Sequence, residues 1–151
     1  MAFRYKDCIE KGLLRKVPAS HDKAMQSINK AEKWLDESHK TLNGKAFDSS
    51  VLASYMVMFH SARAILFYDG YREKSHACVA RYLEEKYVKT NKLEKKWIEL
   101  LDYHREIRHV DQYDLSFFST DEEAKKAIRY SLKFLERMKS LLNSLQKSKL
   151  K

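Results

Sequence analysis

Two arginines, a histidine, an aspartate and a tyrosine fall within nine residues, Arg105-Glu106-Ile107-Arg108-His109-Val110-Asp111-Gln112-Tyr113, with His104 just before them. These groups can hold a phosphate, move a proton and stack on a base. Arginine offers a planar fork of donors that matches pairs of phosphate oxygens. Arg105 and Arg108 are three apart, so they occupy neighbouring positions on one helix surface. A plainer use for them is to offset a helix C-terminus and pair with Glu106, Asp111 or Asp114. His109 stands at the expected helix end, placed for solvent, and histidine ordinarily titrates at ~6.5, suited to proton transfer near neutrality. His104 shares an apolar face with Trp97 and Leu101, where a hydrogen-bonded core histidine is the plainer expectation. Asp111, if exposed, has a pKa near ~4 and is a weak base. Tyr113 can stack on a base, donate to a phosphate oxygen or fill the mouth of a bundle.

Two further groups interrupt apolar patterns. His60 and Arg63 lie three apart in the most apolar stretch of the chain. Burying an unpaired Arg63 is costly, so it must reach a carboxylate, water or a bound anion. Lys74-Ser75-His76 opens a helical segment, where backbone N–H groups can receive a phosphate. An ordinary N-cap at Ser75 is the plainer account.

The elements that must position these groups are helices. Among 151 residues there are only three glycines and one proline, too few for the turns of a sheet-rich fold. The expected first helix runs from Phe3 to Arg15 and is broken by Pro18. Ser20 or Asp22 caps the next, whose stripe Ala24, Ile28, Ala31, Leu35, Ser38 and Leu42 faces a partner helix up to Asn43-Gly44. A third helix from Asp48 or Ser49 to Asp69-Gly70 is apolar nearly all round, which suits the centre of a bundle or a shared subunit face. Ser75 opens a helix that ends at Thr90-Asn91. A further helix carries Leu93, Trp97, Leu100, Leu101, His104 and Ile107 on one face. The stretch Val110 to Ser119 lacks helical pattern, and its Tyr113, Leu115, Phe117 and Phe118 are expected to fold back on the bundle. Thr120 with Glu123 makes a capping box for the last helix. Gln146 to Lys151 reads as a frayed basic tail. The expectation is one all-α domain over residues 1–151, core about 10–145. It is an up-and-down antiparallel bundle of four or five main helices.

A net charge of +9 suits an anionic partner such as RNA, DNA or an acidic protein. Cys8 and Cys78 define no framework and no zinc motif, and Cys78 reads as a small buried hydrophobe, so a cytoplasmic, reducing setting is expected. Ser54, His60, Ser61 and Arg63 interrupt the longest apolar stretch, so no membrane span is expected. No metal or cofactor is called for.

Three stretches then carry a resemblance. Ala53-Ser54-Tyr55-Met56-Val57-Met58-Phe59-His60-Ser61-Ala62-Arg63-Ala64-Ile65-Leu66, Gly70-Tyr71-Arg72-Glu73-Lys74-Ser75-His76 and Arg108-His109-Val110-Asp111-Gln112-Tyr113 follow one another as in prokaryotic HEPN domains. The chain resembles that family over roughly residues 10 to 145. The resemblance implies a helical bundle paired as a homodimer, with polar segments of two subunits facing one cleft. It implies metal-independent ribonuclease activity in many members, often as toxins partnered with a minimal nucleotidyltransferase encoded alongside. The family's usual motif is Arg, four to six residues, then His. Here Arg105 reaches His109 after three residues and Asp111 after five. An aspartate therefore stands where active members carry histidine. Tyr113 matches a tyrosine that some members carry two residues later and that the partner can adenylylate.

The catalytic candidates are Arg105, Arg108, His109, Asp111 and Tyr113. Those for RNA or nucleotide binding are His104, His60, Arg63, Lys74 and His76. Two functions compete: a toxin-type ribonuclease, and a non-catalytic helical module that binds a nucleotide or a nucleotidyltransferase. A plain interaction module dimerising through the central helix is a third.

Overall fold

The computed structural model describes residues 4–150. Four long helices make the body: α2 (His21–Asn43), α3 (Phe47–Asp69), α5 (Lys95–Tyr113) and α6 (Asp121–Lys149). Two short helices, α1 (Tyr5–Glu10) and α4 (His76–Leu83), a π-helical turn over Glu84–Val88 that prolongs α4, and a two-stranded ribbon of β1 (Leu14–Lys16) and β2 (Tyr71–Glu73) complete the described residues. The all-α expectation holds; the ribbon is an addition to it.

Centrally placed, α3 is packed on by α2, α6 and α5. Its apolar residues cover the circumference because every side meets a neighbour, and Val57, Met58, Ala62, Ile65 and Leu66 are sealed from solvent. By length and hydropathy α3 also resembles a membrane span, yet most of it is buried within the bundle. Its small polar groups are satisfied inside. Ser54 Oγ donates to the Ser50 carbonyl at 2.8 Å, and Ser27 Oγ of α2 donates to the His60 carbonyl at 2.7 Å. Such bonds remove the penalty of burying a hydroxyl in a helix-helix seam.

Helix starts follow the capping chemistry. Ser20 Oγ accepts from the Lys23 N–H. Thr120 and Glu123 bond reciprocally to each other's backbone N–H groups. At the end of α3, Gly70 adopts φ +90°, and a Cβ there would lie 2.8 Å from the Val17 carbonyl oxygen. Only glycine lets the chain turn directly from α3 into the ribbon, where Val17 N–H donates to the Gly70 carbonyl at 2.9 Å.

Several expectations need correction. The first helix stops at Glu10, because Gly12 takes a positive φ and residues 14–16 pair with 71–73 instead; Phe3 lies outside the described residues. Cys8 and Cys78 form a disulfide that ties α1 to α4 across 70 residues of sequence. Neither is therefore a free buried thiol, and unpaired cysteines no longer support a reducing setting. α5 continues through Val110 to Tyr113. Tyr113, Leu115 and Phe118 do not fold back: they stand well exposed, Leu115 at 96%. The last helix runs on to Lys149, with basic side chains at its C-terminal end; Lys151 lies outside the described residues.

Candidate functional site

α5 presents its residues along three stripes. Arg105, Arg108 and Gln112 lie on the side of α3 and α4. His104, Ile107 and Asp111 face α3 and α6. His109 and Tyr113 face outward, their rings 4.9 Å apart and Tyr113 67% exposed.

The first stripe builds a charge cluster around Asp102. Arg105 Nη1 donates to Asp102 Oδ1 at 2.6 Å, and Arg81 of α4 donates to the other oxygen of the same carboxylate. Two more acids stand further off, Glu84 at 3.5 Å from Arg81 and the well-exposed Glu106 at 3.8 Å from Arg105. Solvent screens such outer pairs more than the inner ones. One turn on, the Arg108 guanidinium stands 5.1 Å over the Tyr55 ring, a cation–π contact. Among the described residues its one hydrogen bond is to Gln112 Oε1 at 3.2 Å, while its buried Nε has no partner. The Tyr55 hydroxyl lies 3.0 Å from His76 Nδ1, and the His76 ring stacks on Phe59 with centroids 3.9 Å apart. Burial first, then the charges of Arg108, Arg63 and Arg105, push His76 down to about 4. It is uncharged at neutral pH and contributes hydrogen bonding rather than charge. Burial pushes the Tyr55 phenol up, so it stays protonated.

Arg63 finds the carboxylate that its burial requires: its Nε donates to Glu73, and its guanidinium packs 4.8 Å from the Phe67 ring. His60 is pushed down to about 4 by burial, with Arg63, Lys30 and His76 adding to the effect. Lys74, next along the chain from Glu73, is exposed. Arg63, Arg105 and Arg108 are thus all close enough to act electrostatically on His76.

On the second stripe, His104 is buried and its Nδ1 has no partner, so it lacks the hydrogen bond expected of a core histidine. Burial, helped by Lys126, pushes it down to about 4. It borders a cavity of about 390 Å³ between α3, α5 and α6, walled by Val51, Leu100, Ile107 and Tyr130. Asp111 is half-buried rather than exposed, and it is no ordinary weak base. Burial first, then the neighbouring Asp48 side chain, push its carboxyl up to about 7. Ser119 ties the two acids together: its N–H donates to Asp48 Oδ1 at 2.7 Å and its Oγ to Asp111 Oδ1 at 3.4 Å.

Sequence reasoning missed Tyr55, Arg81, Asp102 and Asp48. Tyr55 sits in an apolar run, and Asp48 has the look of a helix start. Arg81 offers a signal, a cation between Val79 and Tyr82 on a buried face. Among the described residues, no three His, Cys, Asp or Glu side chains cluster as metal ligands would.

A family model described as the HEPN domain matches residues 24–141, spanning α2 to α6. The chain belongs to the HEPN family. It is 29% identical over 117 residues to a Methanocaldococcus jannaschii protein named "Putative toxin MJ0142", covering 78% of this chain and 80% of that one. It is 24% identical over 119 residues to a Thermotoga maritima "UPF0332 protein", covering 79% and 90%. In this HEPN domain Arg105 and Asp111 both lie on α5, and the acid has a proton affinity close to that of a histidine.

Proposed function

We propose that this chain is the RNA-targeting, toxin-type component of a HEPN/nucleotidyltransferase pair, acting in the cytoplasm as a metal-independent endoribonuclease. One observation carries it: Arg108, whose guanidinium pairs with no acid among the described residues, and Asp111, whose carboxyl burial and Asp48 push up to about 7, sit three residues apart on α5. An under-satisfied guanidinium receives a phosphate, and a group with pKa near the working pH takes and returns a proton. The toxin name borne by the M. jannaschii relative supports the same reading.

In this mechanism ionised Asp111 takes the proton of a ribose 2′-OH. The 2′ oxygen bonds to the adjacent phosphorus as the bond from phosphorus to the 5′ oxygen breaks. Arg108 stabilises the charge growing on the non-bridging oxygens, and Arg105 adds to the positive field. A homodimer supplies the return proton from the second copy's Asp111 in its protonated form, with His109 as the alternative donor. The products are a 2′,3′-cyclic phosphate and a free 5′-OH.

The test is incubation of purified protein with defined RNAs in EDTA, followed by analysis of the ends. Wild type is expected to leave cyclic phosphates, while Arg108→Ala and Asp111→Asn lose on the order of 100-fold in rate, the scale of losing one charge-stabilising or proton-carrying group. Cleavage that survives both substitutions, or none by the wild type, refutes the proposal. Expression should also arrest growth, with relief on co-expression of a minimal nucleotidyltransferase partner.

The exposure of Tyr113 favours a second reading, a non-catalytic module bound by that nucleotidyltransferase. The phenol oxygen, giving up its proton to solvent, would attack the α-phosphorus of ATP as the bond from that phosphorus to the bridging oxygen breaks, releasing pyrophosphate. An adenylate adduct by intact mass, absent in Tyr113→Phe, together with no RNA cleavage, decides for it.

A further inference from the structure

The ribbon carries a feature that the fold alone does not require. Arg15 and Arg72 are directly paired across its two strands. Like charges placed opposite one another destabilise a strand pair. Two more cations, Lys16 and Lys74, follow on the same strands or just beyond them, around a cleft of about 460 Å³. The one acid there, Glu73, is buried and already bonded to Arg63.

A second cleft, of about 340 Å³, opens between α2 and α3. Lys23, Lys30, Arg63 and His60 line it, with Gln26 and Ser27 as polar neighbours. Arg72 borders both clefts, so they form one continuous surface. Among the described residues, Arg15, Lys16, Lys23, Lys30, Arg72 and Lys74 form no ion pair, although several other surface lysines do. Arg63 links this surface to the α5 cluster, since it acts electrostatically on His76 together with Arg105 and Arg108.

We propose that the outer face of the ribbon and the adjoining α2/α3 groove form a track for the sugar–phosphate backbone of single-stranded RNA, leading to the α5 arginines. This rests on the RNA reading of the α5 site. An acidic protein fits the chemistry less well. Protein interfaces are anchored by exposed aromatic and aliphatic side chains, and among the described residues none of the exposed large hydrophobics, such as Met25, Tyr103 and Leu115, lines either cleft. Backbone binding needs only cations and hydrogen-bond donors along a groove, and these are what the track offers.

The test is fluorescence anisotropy with a labelled single-stranded RNA over a salt series, comparing wild type, Arg15→Gln/Arg72→Gln, Lys23→Gln/Lys30→Gln and a control, Lys133→Gln/Lys147→Gln on α6. Removing a cation that neutralises one phosphate flattens the log–log salt slope by about 0.7. Each track variant is expected to flatten it by about 1.4 and to weaken low-salt binding about tenfold, with the control unchanged. The thermal midpoint of Arg15→Gln/Arg72→Gln should equal or exceed that of wild type, which separates weakened binding from impaired folding. RNA binding that is unchanged in both track variants, or equally weakened in the control, overturns the track alone. Poly-aspartate binding as tightly as RNA, and weakened by the same variants, overturns it in favour of an acidic protein dock. A wild-type chain that binds no RNA overturns the RNA reading and the track together.

Discussion

Asp111→Asn separates function from stability in a way that pH can read. The carboxyl is held at about 7 in the folded chain against an ordinary 3.8. Between those values the folded state keeps a proton that the unfolded state has lost. Stability therefore falls as pH rises from about 4 to about 7, and the loss is complete above that. Three pH units correspond to a ceiling of roughly 4 kcal/mol. Asp111 is only half-buried, so solvent screening reduces this to about 1–2 kcal/mol. Asparagine keeps an oxygen for the Ser119 hydroxyl and has no charge to bury. At pH 8 the variant should be more stable than wild type by that amount, a rise of about 2–8 °C in Tm for a domain of this size. At pH 4 the two should coincide. The difference between the proteins must be measured, because His60, His76 and His104 pull the other way. Each is pushed down to about 4, so their contribution is full above 6.5 and lost as pH falls. Urea unfolding of both proteins from pH 4 to 8 gives the curve. A flat difference, or a variant less stable at pH 8, would show that Asp111 does not carry the raised proton affinity on which the catalytic proposal depends.

Arg63→Met should cost about 3 kcal/mol in urea unfolding, because it strands the buried Glu73 carboxylate, and adding Glu73→Leu should restore most of the loss; a single variant with wild-type stability would show the pair to be slack. Reducing the Cys8–Cys78 disulfide releases a loop of 70 residues, so treatment with dithiothreitol should lower stability by about 4 kcal/mol on the chain-entropy account. No change in the denaturation midpoint after confirmed reduction would contradict this. Gly70→Ala should lower Tm by several degrees, since φ +90° is strained for alanine and its Cβ would press on the Val17 carbonyl; unaltered melting would mean that the ribbon can shift aside.

Which parts of this molecule are legible in sequence follows from the range of the forces involved. Ser20, Thr120 with Glu123, and Gly70 act on backbone groups within a few residues, so the helix limits they set can be read directly. The ribbon and the disulfide join residues 14–16 to 71–73 and Cys8 to Cys78, and no local pattern announces a partner so far along the chain. The end of α5 is hidden for a related reason. Val110 to Tyr113 break the apolar periodicity, but the backbone needs no apolar stripe to continue the helix, and Asp111 turns towards Asp48 rather than water. Arg105 and Arg108 are legible as a pair of cations. Their different states, one tied to Asp102 and the other with a buried unpartnered donor, depend on Asp102, Arg81 and Tyr55.

In the proposed mechanism Asp111 does the work that a histidine does in the motif this chain resembles. A carboxyl at about 7 holds its proton about as tightly as a histidine, so the timing of proton transfer survives the exchange. The charge does not. A histidine moves between neutral and positive, and its protonated form draws a phosphate in. Asp111 moves between neutral and negative, and the ionised form that the proposal makes the base repels the same phosphate. A site built on it therefore needs more fixed positive charge than one built on histidine. That requirement gives physical meaning to the cations gathered around α5: two guanidinium groups share the close carboxylate of Asp102, and Arg108 stands beside them with no acid of its own. It also makes the proposed enzyme unusually sensitive to salt. Screening weakens the arginine field that offsets the repulsion, while burial and the neighbouring Asp48, which salt reaches less, keep the proton affinity of Asp111 high.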